Sequence, residues 1–446
     1  MALCLIMSGA AIQTAGLADI NAAAAFVPLE ERQGAGGQAA GSGQRVGGVG
    51  VQTAGSGQVA GEILTTGGNS VSGGIPAAGE IPVVAGGQTR GGARSSGTAK
   101  SGGIANSSGI ALTPAPRIPA AIMWVPGMGT LGWLLDNKGR TWVRDLPMNM
   151  YVVFKLPRPY THLLFQWMSS INYNYTDTRL GGPESYQIDI SSNSTNGRDG
   201  DWISAADVKN NYVAARAHVI ESENIRWIRF RVTGGGLAID EIDIHDLEQC
   251  EPGGAWDTWG FIGDSITAFA YWRDAEAGKP FNMRVNEQNP DRYPSMINFG
   301  VGGDKAEDVY ARLPRTLELN DGIHFWAIGI GSNDVDAVRY EQYLRNILDL
   351  LIDNGKEPII ARIPYSSSLS DARIRSLNAV VDRLTVEYGL FAGPDLYNYY
   401  RGHLSCLAGD GLHPSYEGME AMNELWAKTA LAIGGGTHRI PEVNRR

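Results

Sequence analysis

The second half of the sequence alternates short apolar runs with stretches of helical spacing, and this rhythm restricts the fold more than any other feature. Apolar runs that predict strands occupy 259–263, 297–300, 325–331, 358–363 and 390–392. Apolar residues at helical spacing predict helices over 340–353, 371–388 and 416–433, each followed by glycine. Such alternation is typical of a parallel sheet with helices on both faces, so residues 251–436 are predicted to form an α/β domain. A tail of residues 437–446 follows.

Residues 111–250 carry a different pattern, with dense aromatics, alternating polarity and turn clusters. At 228–232, Ile228, Phe230 and Val232 alternate with Arg229 and Arg231, which predicts a strand with one buried and one exposed face. A further strand with an irregularity is predicted around 237–244. Short strands with turn punctuation and no helical pattern predict a β-sandwich.

The first 110 residues show no pattern of a packed domain. Residues 1–25 are rich in small and apolar residues and are interpreted as a signal peptide, which predicts a secreted or cell-surface protein. Residues 26–110 are rich in Gly, Ala and Ser, and no Phe, Trp or Tyr occurs between residues 27 and 123. Such a segment cannot bury enough apolar surface to offset its chain entropy, so it is predicted to be a disordered linker. A glycine-rich repeat that orders by stacking, or an anchor to a surface, is the alternative.

Charge and cysteine content exclude several classes of function. The 446 residues carry a net charge of −10, which argues against a nucleic acid or an anionic membrane as partner. The sequence contains no run of 18 apolar residues, so no membrane-spanning helix is predicted. Cys4, Cys250 and Cys406 form no C-x-x-C pair, and no H-E-x-x-H motif occurs, so neither a metal nor another cofactor is predicted. Cys250 and Cys406 can form one bridge or remain buried thiols. The oligomeric state stays open.

Four polar segments follow predicted strands or precede a predicted helix, and they would meet at the carboxyl edge of the parallel sheet, where ligands bind. Ser265 offers a hydroxyl nucleophile, His413 an imidazole with an ordinary pKa of about 6.5, and Asp410 a carboxylate that can orient the imidazole. Donors to an oxyanion would come from the backbone N–H groups of Ser265 and Gly303 and from the Asn333 amide. Gly302 is an alternative to Gly303.

These segments resemble the four sequence blocks of the SGNH, or GDSL-type, hydrolases. The matching residues are G-D-S-I at 263–266, N-F-G-V-G-G-D at 298–304, G-S-N-D at 331–334 and D-G-L-H-P at 410–414. The resemblance covers about residues 257–434, and isoleucine replaces the leucine of the first block. It implies a three-layer α/β fold and ester hydrolysis through an acyl-enzyme without a metal or cofactor, with Ser265, His413 and Asp410 as catalytic residues. It also implies Ser265, Gly303 and Asn333 as the oxyanion hole.

Each of these residues also has an ordinary structural interpretation. A serine after a strand commonly caps a helix, Asn-Asp and Gly-Gly pairs commonly form turns, and an Asp three residues before a His commonly bonds to it in a loop. The presence of all four segments in order favours catalysis. Asp264 is predicted to order the nucleophile loop, and no role is assigned to Lys305 or Asp334.

The substrate class is predicted from the region that precedes the α/β domain. Residues from about 120 to 248 are similar, more loosely, to galactose-binding-like jelly rolls. Several carbohydrate-esterase families join such a module to an SGNH domain in this order. The resemblance therefore implies an enzyme that removes O-acetyl groups from a polysaccharide such as xylan or mannan. The alternatives are a lipase or general short-chain acyl esterase or thioesterase, and a non-catalytic carbohydrate-binding protein. Phe269, Tyr271 and Trp272 could line an acyl pocket. Aromatic residues that could stack on sugars, or belong to the core, are Trp142, Trp167, Tyr173, Tyr175, Trp202 and Tyr212.

Overall fold

The structure is a computed structural model that describes residues 112–124, 132–136, 151–169, 183–235, 239–248, 255–269 and 279–434. All of these residues belong to one compact unit. The predicted signal peptide (1–25), the predicted linker (26–110), the tail (437–446), Cys4 and Cys250 lie outside the described residues. Cys406 is a buried free thiol, and burial raises its pKa to about 11.

A four-stranded parallel sheet forms the centre of the α/β part. Its strands are β9 (Thr258–Gly263), β10 (Ser295–Gly300), β11 (Phe325–Gly329) and β12 (Glu357–Ile360), in the spatial order β10-β9-β11-β12. The four predicted strands are therefore confirmed, with ends that differ by a few residues. The predicted segment 390–392 contributes only an isolated bridge between Ile360 and Ala392.

Six α-helices that lie entirely within the described residues accompany this sheet: α1 (Phe281–Gln288), α2 (Ala306–Glu318), α3 (Ala337–Asp353), α4 (Asp371–Glu387), α5 (Leu396–Gly402) and α6 (Tyr416–Gly434). Residues 265–269 begin a further helix. The three predicted helices correspond to α3, α4 and α6. Helix α3 begins earlier than predicted because the Asp336 side chain accepts hydrogen bonds from the N–H groups of Val338 and Arg339. The sequence pattern missed α1, α2 and α5, since α1 and α5 are short and Pro314 lies inside α2.

Aromatic side chains pack against both faces of β9. On one face, Trp259 and Phe261 contact Phe281 of α1, with ring centroids 5.1 Å apart in each pair, and Phe261 also meets Trp426 of α6. On the other face, Phe299 and Trp326 from the flanking strands stack with centroids 5.4 Å apart. Burial of these large rings removes apolar area from water and helps to hold the helices on the sheet.

The region before the α/β part is an antiparallel sheet. Its strands are β2 (Ala121–Trp124), β3 (Tyr151–Met168), β4 (Pro183–Ser191), β5 (Ile203–Val208), β6 (Ala215–Gly235) and β7 (Glu241–Asp246), in the order β2-β3-β6-β4-β5 with β7 also paired to β3. Ile228, Phe230 and Val232 are buried as predicted. The strands belong to one connected six-stranded sheet, and the jelly-roll sandwich stays a prediction.

Strand β7 is buried along its whole length, which the sequence pattern did not indicate. Ile242 and Ile244 join the apolar core of the sheet. Glu241 and Asp243 are also buried, and both pair with Arg117, at 2.9 Å and 2.6 Å. A buried carboxylate requires a partner, and Arg117 supplies one to both acids. The strand can therefore carry Glu241 and Asp243 on the face opposite to Ile242 and Ile244.

The two sheets contact each other through buried polar groups. The Gln166 amide donates to the Met296 carbonyl at 2.9 Å, and the Ala217 N–H donates to the Asn320 side chain at 2.9 Å. A short pair of strands, β1 (Leu112–Thr113) and β8 (Ala255–Trp256), lies at the entry to the α/β part. These hydrogen bonds fix the antiparallel sheet on the α/β part.

A buried ion pair joins the start of the parallel sheet to the last helix. The Arg292 guanidinium donates to both carboxylate oxygens of Asp257 at 2.9 Å and to the carbonyl of Ala430 in α6, also at 2.9 Å. The Trp259 indole donates to the same carboxylate at 2.8 Å.

We expect Arg292→Met to lower the free energy of unfolding by about 3–5 kcal/mol, because it leaves the Asp257 carboxylate buried without its cation. Lys428→Met is the matched control, since Lys428 is an exposed cation and its partner Glu424 keeps a second cation in Arg284, and it should change stability by less than about 0.5 kcal/mol. Urea unfolding of both variants measures the difference. Equal small effects would contradict a stabilising role of the Arg292–Asp257 pair.

Candidate active site

Ser265 lies directly beyond the end of the central strand. Strand β9 ends at Gly263, and residues 265–269 are helical, so the hydroxyl stands at the start of a helix at the carboxyl edge of the sheet. Gly263 has no room for a side chain, since a Cβ there would lie 2.0 Å from the carbonyl oxygen of Gly329. The close approach of β9 and β11 thus requires glycine immediately before the Asp264–Ser265 turn.

Asp264 is buried beneath this turn and orders it, as predicted. Its carboxylate accepts a hydrogen bond from the Ile266 N–H at 2.9 Å and another from the Ser332 hydroxyl. Burial raises the pKa of Asp264, and the hydrogen bonds oppose that shift. Only 1% of Asp264 is exposed, and its carboxylate bonds to residues of the adjoining loops, so its contribution is to hold the turn.

The structure brings together Ser265, His413 and Asp410, which lie far apart in the sequence. The Ser265 Oγ lies 2.8 Å from His413 Nε2, and His413 Nδ1 lies 2.6 Å from Asp410 Oδ2. The other carboxylate oxygen of Asp410 accepts hydrogen bonds from the N–H groups of Leu412 and His413, at 2.9 Å and 3.0 Å. Partial burial opposes ionisation of Asp410, but these hydrogen bonds outweigh it and lower its pKa. A carboxylate is therefore available to hold the imidazole in one orientation.

The loop that carries Asp410 and His413 is fixed by a serine-rich segment that the sequence patterns did not single out. The Ser366 hydroxyl donates to the Gly411 carbonyl at 2.6 Å, and the Ser367 N–H donates to the same oxygen at 2.9 Å. From α4, the Arg373 guanidinium donates to the Ser332 carbonyl. A run of three serines between a strand and a helix was the only sequence signal for this contact.

Phe269 packs against the catalytic candidate His413. The two rings meet edge to face with centroids 5.0 Å apart. Of the predicted apolar wall, Tyr271 and Trp272 lie outside the described residues. The position of Phe269 beside the imidazole limits the space for a substrate on that side of Ser265.

The two other candidate donors lie on the loops after the neighbouring strands. Gly303 has a φ of +85°, a conformation that favours glycine, and its backbone is exposed. The Asn333 side-chain amide donates to the Asp304 carbonyl at 2.9 Å, which orients the group beside Gly303. Gly302 is also exposed, and no side-chain crowding distinguishes it from Gly303.

A second layer of acids lies under these donors. Asp304 pairs with Arg312 of α2 at 2.9 Å, and the Asp334 carboxylate accepts the Ala306 N–H at the start of α2, at 3.2 Å. Burial raises the pKa of Asp304 to about 6 and that of Asp334 also to about 6. Asp334, to which the sequence assigned no role, thus supports the first turn of α2, whereas Lys305 is exposed and precedes that helix.

The aromatic residues predicted to stack on sugars have three different environments. Trp167 is wholly buried in the core of the antiparallel sheet, which agrees with the core alternative and leaves it no exposed face for a sugar. Tyr212 is exposed, and its hydroxyl accepts a hydrogen bond from Arg315 of α2. Trp202 is half-buried, with the Arg229 guanidinium 4.3 Å from its ring centre. Trp142, Tyr173 and Tyr175 lie outside the described residues.

An apolar cavity lies between the parallel sheet and α6, on the inner side of the Ser265 turn. Its lining includes Phe261, Ile266, Ile363, Met422 and Trp426. Neither Ser265 nor His413 lines this cavity.

Within the described residues, no cluster of three or more His, Cys, Asp or Glu side chains has the arrangement of a metal site. Across the same ranges, no helix combines the length and the apolar character that a membrane crossing requires.

The arrangement around Ser265 has the parts that acyl transfer requires. A hydroxyl contacts an imidazole, a carboxylate contacts the other nitrogen of that imidazole, and exposed backbone and amide donors lie on adjacent loops. His413 is buried and Ser265 is half-buried, so part of the hydroxyl's surroundings is open to a substrate.

Comparison with known proteins gives one family match. Residues 261–421 match the GDSL-like Lipase/Acylhydrolase family. This segment contains all five candidate site residues. No curated protein sequence matches the chain.

Several solved structures are similar to part of this chain. A lipase/acylhydrolase from Enterococcus faecalis is 23% identical, with 40% of this chain and 96% of that chain covered and a TM-score of 0.33. An acetyl xylan esterase variant from Geobacillus stearothermophilus is 21% identical, with 42% and 97% covered and a TM-score of 0.33. An α/β hydrolase from the metagenome of Lake Arreo, Spain, is 22% identical, with 41% and 96% covered and a TM-score of 0.33.

The raised pKa of Asp334 predicts how stability changes with pH. The folded state holds the proton more tightly than the unfolded chain, so the contribution of Asp334 to stability is greatest below about pH 4 and declines up to its folded pKa of about 6. We expect Asp334→Asn to reduce this decline by about 1–2 kcal/mol between pH 4 and pH 7. Urea unfolding at both pH values measures it, with Asp336→Asn, at the exposed cap of α3, as the control. An unchanged slope in Asp334→Asn would contradict the burial of an ionisable Asp334.

Proposed function

We propose that this protein is a serine esterase that hydrolyses ester bonds through an acyl-enzyme. The observation that carries the proposal is the continuous contact from Ser265 Oγ to His413 Nε2, at 2.8 Å, and from His413 Nδ1 to Asp410, at 2.6 Å. The match of residues 261–421 to an acylhydrolase family supports the same reaction class.

The proposed first half-reaction forms the acyl-enzyme. His413 Nε2 takes the proton of Ser265 as the Oγ attacks the ester carbonyl carbon, and the carbonyl oxygen gains a negative charge. The N–H groups of Ser265 and Gly303 and the Asn333 amide stabilise this oxyanion. When the intermediate collapses, the bond to the alcohol oxygen breaks, and His413 gives the proton to that oxygen.

The second half-reaction releases the acid. A water molecule loses a proton to His413 and attacks the acyl carbon, a second oxyanion forms at the same donors, and the Ser265 oxygen leaves with the proton from His413. Asp410 stabilises the imidazolium in both halves because its carboxylate contacts Nδ1. The oxyanion donors lie on backbone and on an amide already oriented by Asp304, so little reorganisation accompanies the charge change.

For the substrate, we propose O-acetyl groups on a polysaccharide such as xylan or mannan. Phe269 packs on His413 beside the nucleophile, which favours a small acyl group on that side. The antiparallel sheet is fixed to the α/β part by buried hydrogen bonds, and its sequence is similar to sugar-binding jelly rolls. Secretion, which the N-terminal sequence predicts, would place the enzyme with such polymers.

A lipase or general acyl esterase is the second candidate, and one observation favours it. Large exposed apolar residues of the α/β part concentrate beside the candidate site in sequence: Val335 and Val338 follow Asn333 with 73% and 78% exposure, and Leu404 and Tyr416 flank the His413 loop. Ser415 donates to the Ser405 carbonyl at 2.6 Å, which brings the two sides of that loop together. Exposed apolar side chains near the nucleophile would suit a longer acyl chain. A non-catalytic binding protein is less well supported, because it would not require the contacts among Ser265, His413 and Asp410.

We expect Ser265→Ala to lower kcat by at least about 1000-fold on every ester that the wild type cleaves, because no other group would take over the nucleophilic step. Ser405→Ala is the matched control, since the exposed Ser405 hydroxyl donates to the surface residue Glu417 at 2.9 Å, and it should retain activity. Assays compare acetate release from acetylated xylan and acetylated mannan with hydrolysis of p-nitrophenyl acetate and p-nitrophenyl octanoate. Circular dichroism shows whether each variant is folded.

The substrates separate the candidates. Ser265-dependent acetate release from a polymer supports the polysaccharide deacetylase. Activity on octanoate with none on polymers supports the acyl esterase. A folded wild type without activity on any of these substrates, or a Ser265→Ala variant with full activity, would contradict the proposed function.

A further inference from the structure

Arg312 contacts both segments that carry the backbone donors of the proposed oxyanion hole. It lies in α2, and its side chain is 12% exposed. Its Nε donates to the Asp304 carboxylate at 2.9 Å, and its Nη2 donates to the Gly263 carbonyl at 3.3 Å. Asp304 directly follows Gly303, and Gly263 lies two residues before Ser265. One guanidinium therefore links the loop after β10 to the end of β9.

The same link reaches the third donor. The Asp304 carbonyl accepts the hydrogen bond from the Asn333 amide at 2.9 Å. The position of Asp304 thus determines where that amide points, and Arg312 holds Asp304 by its carboxylate. Gly263, at the other end, already receives the Val301 N–H at 2.9 Å, so its carbonyl is a fixed point of the sheet.

We propose that Arg312 is a positioning residue for ester hydrolysis, which sets the distance between the Ser265 N–H, the Gly303 N–H and the Asn333 amide by bridging Gly263 and Asp304. This inference rests on the proposed function. Arg312 touches none of the reacting atoms, so it acts through the donors. A planar guanidinium can contact two acceptors at once, whereas a lysine ammonium on a flexible stem has no matching fork.

The bridge explains why α2 carries a cation at this position. Asp304 is one of several acids in a small volume, with Asp308 on the first turn of α2 and Asp264 under the nucleophile turn. The attraction of Arg312 opposes the burial that disfavours the Asp304 carboxylate. Loss of the guanidinium would therefore release Asp304 both from its hydrogen bond and from its counter-charge.

The test compares Arg312→Lys and Arg312→Gln with Arg315→Gln. Arg315 lies one turn further along α2 and contacts Tyr212 and Glu318 at the surface, so its loss should leave hydrolysis of p-nitrophenyl acetate unchanged. We expect both Arg312 variants to lower kcat by about 10- to 100-fold with little change in KM, because misplaced donors act on the transition state. The lysine variant keeps the charge and separates the effect of the fork from that of electrostatics.

A double-mutant cycle with Asn333 distinguishes a positioning residue from a residue that only stabilises the fold. If Arg312 acts through the oxyanion donors, Arg312→Lys should lower kcat by no more than about threefold when Asn333 is already alanine, since the oriented donor is then missing. Thermal unfolding of each variant shows that it is folded. A full, additive loss in the Asn333→Ala background, or an unchanged kcat in both Arg312 variants, would overturn the inference.

A crystal structure of Arg312→Gln tests the same inference without turnover. We expect the Asn333 amide to lose its hydrogen bond to the Asp304 carbonyl and the loop at Gly303 to move relative to Gly263. An unchanged loop would overturn the positioning role even if the protein is an active esterase. If the loop moves in Arg312→Gln but the wild-type protein cleaves no ester, the positioning role stands and the proposed function is overturned.

Discussion

The parallel pairing of β9 with β10 and β11 is the constraint on which the candidate site depends. The register places Gly263 beside Gly300 on one side and beside Gly329 on the other. Three adjacent glycines bring the backbones close at the carboxyl edge, and the loops that follow them carry Ser265, Gly303 and Asn333. Since strand register sets the positions of these candidate donors, small shifts of the sheet would move all of them together.

The site combines this rigid edge with buried charge that works against stability. Asp264, Asp304 and Asp334 are all buried at this edge of the sheet, and burial raises the pKa of each. Hydrogen bonds from Ser332, Arg312 and Ala306 compensate in part. Buried acids of this kind are retained where they position other groups, and here each of them fixes one of the loops at the sheet edge.

The sequence predicted the strands of the α/β part and the residues that meet at its edge, because hydrophobic period and strand order suffice to place loops that follow parallel strands. It could not predict contacts that depend on which side chain spans two loops. For that reason the sequence did not predict the contacts of Arg312, nor the hydrogen bonds from Ser366 and Ser367 to Gly411. Trp167 illustrates another limit. The sequence of an alternating strand does not tell whether an aromatic side chain lies on the buried or the exposed face of the sheet. The jelly-roll arrangement needs a sheet-to-sheet packing that alternation alone does not determine.

The most direct test of the account is whether Ser265 is the activated nucleophile. The purified protein is incubated with a p-nitrophenyl phosphonate, release of p-nitrophenol is followed, and the labelled peptide is identified by mass spectrometry. The account predicts stoichiometric labelling of Ser265 that His413→Ala slows strongly, because the hydroxyl reacts only when the imidazole takes its proton. Labelling of another residue, or ester turnover by a protein that remains unlabelled, would contradict it.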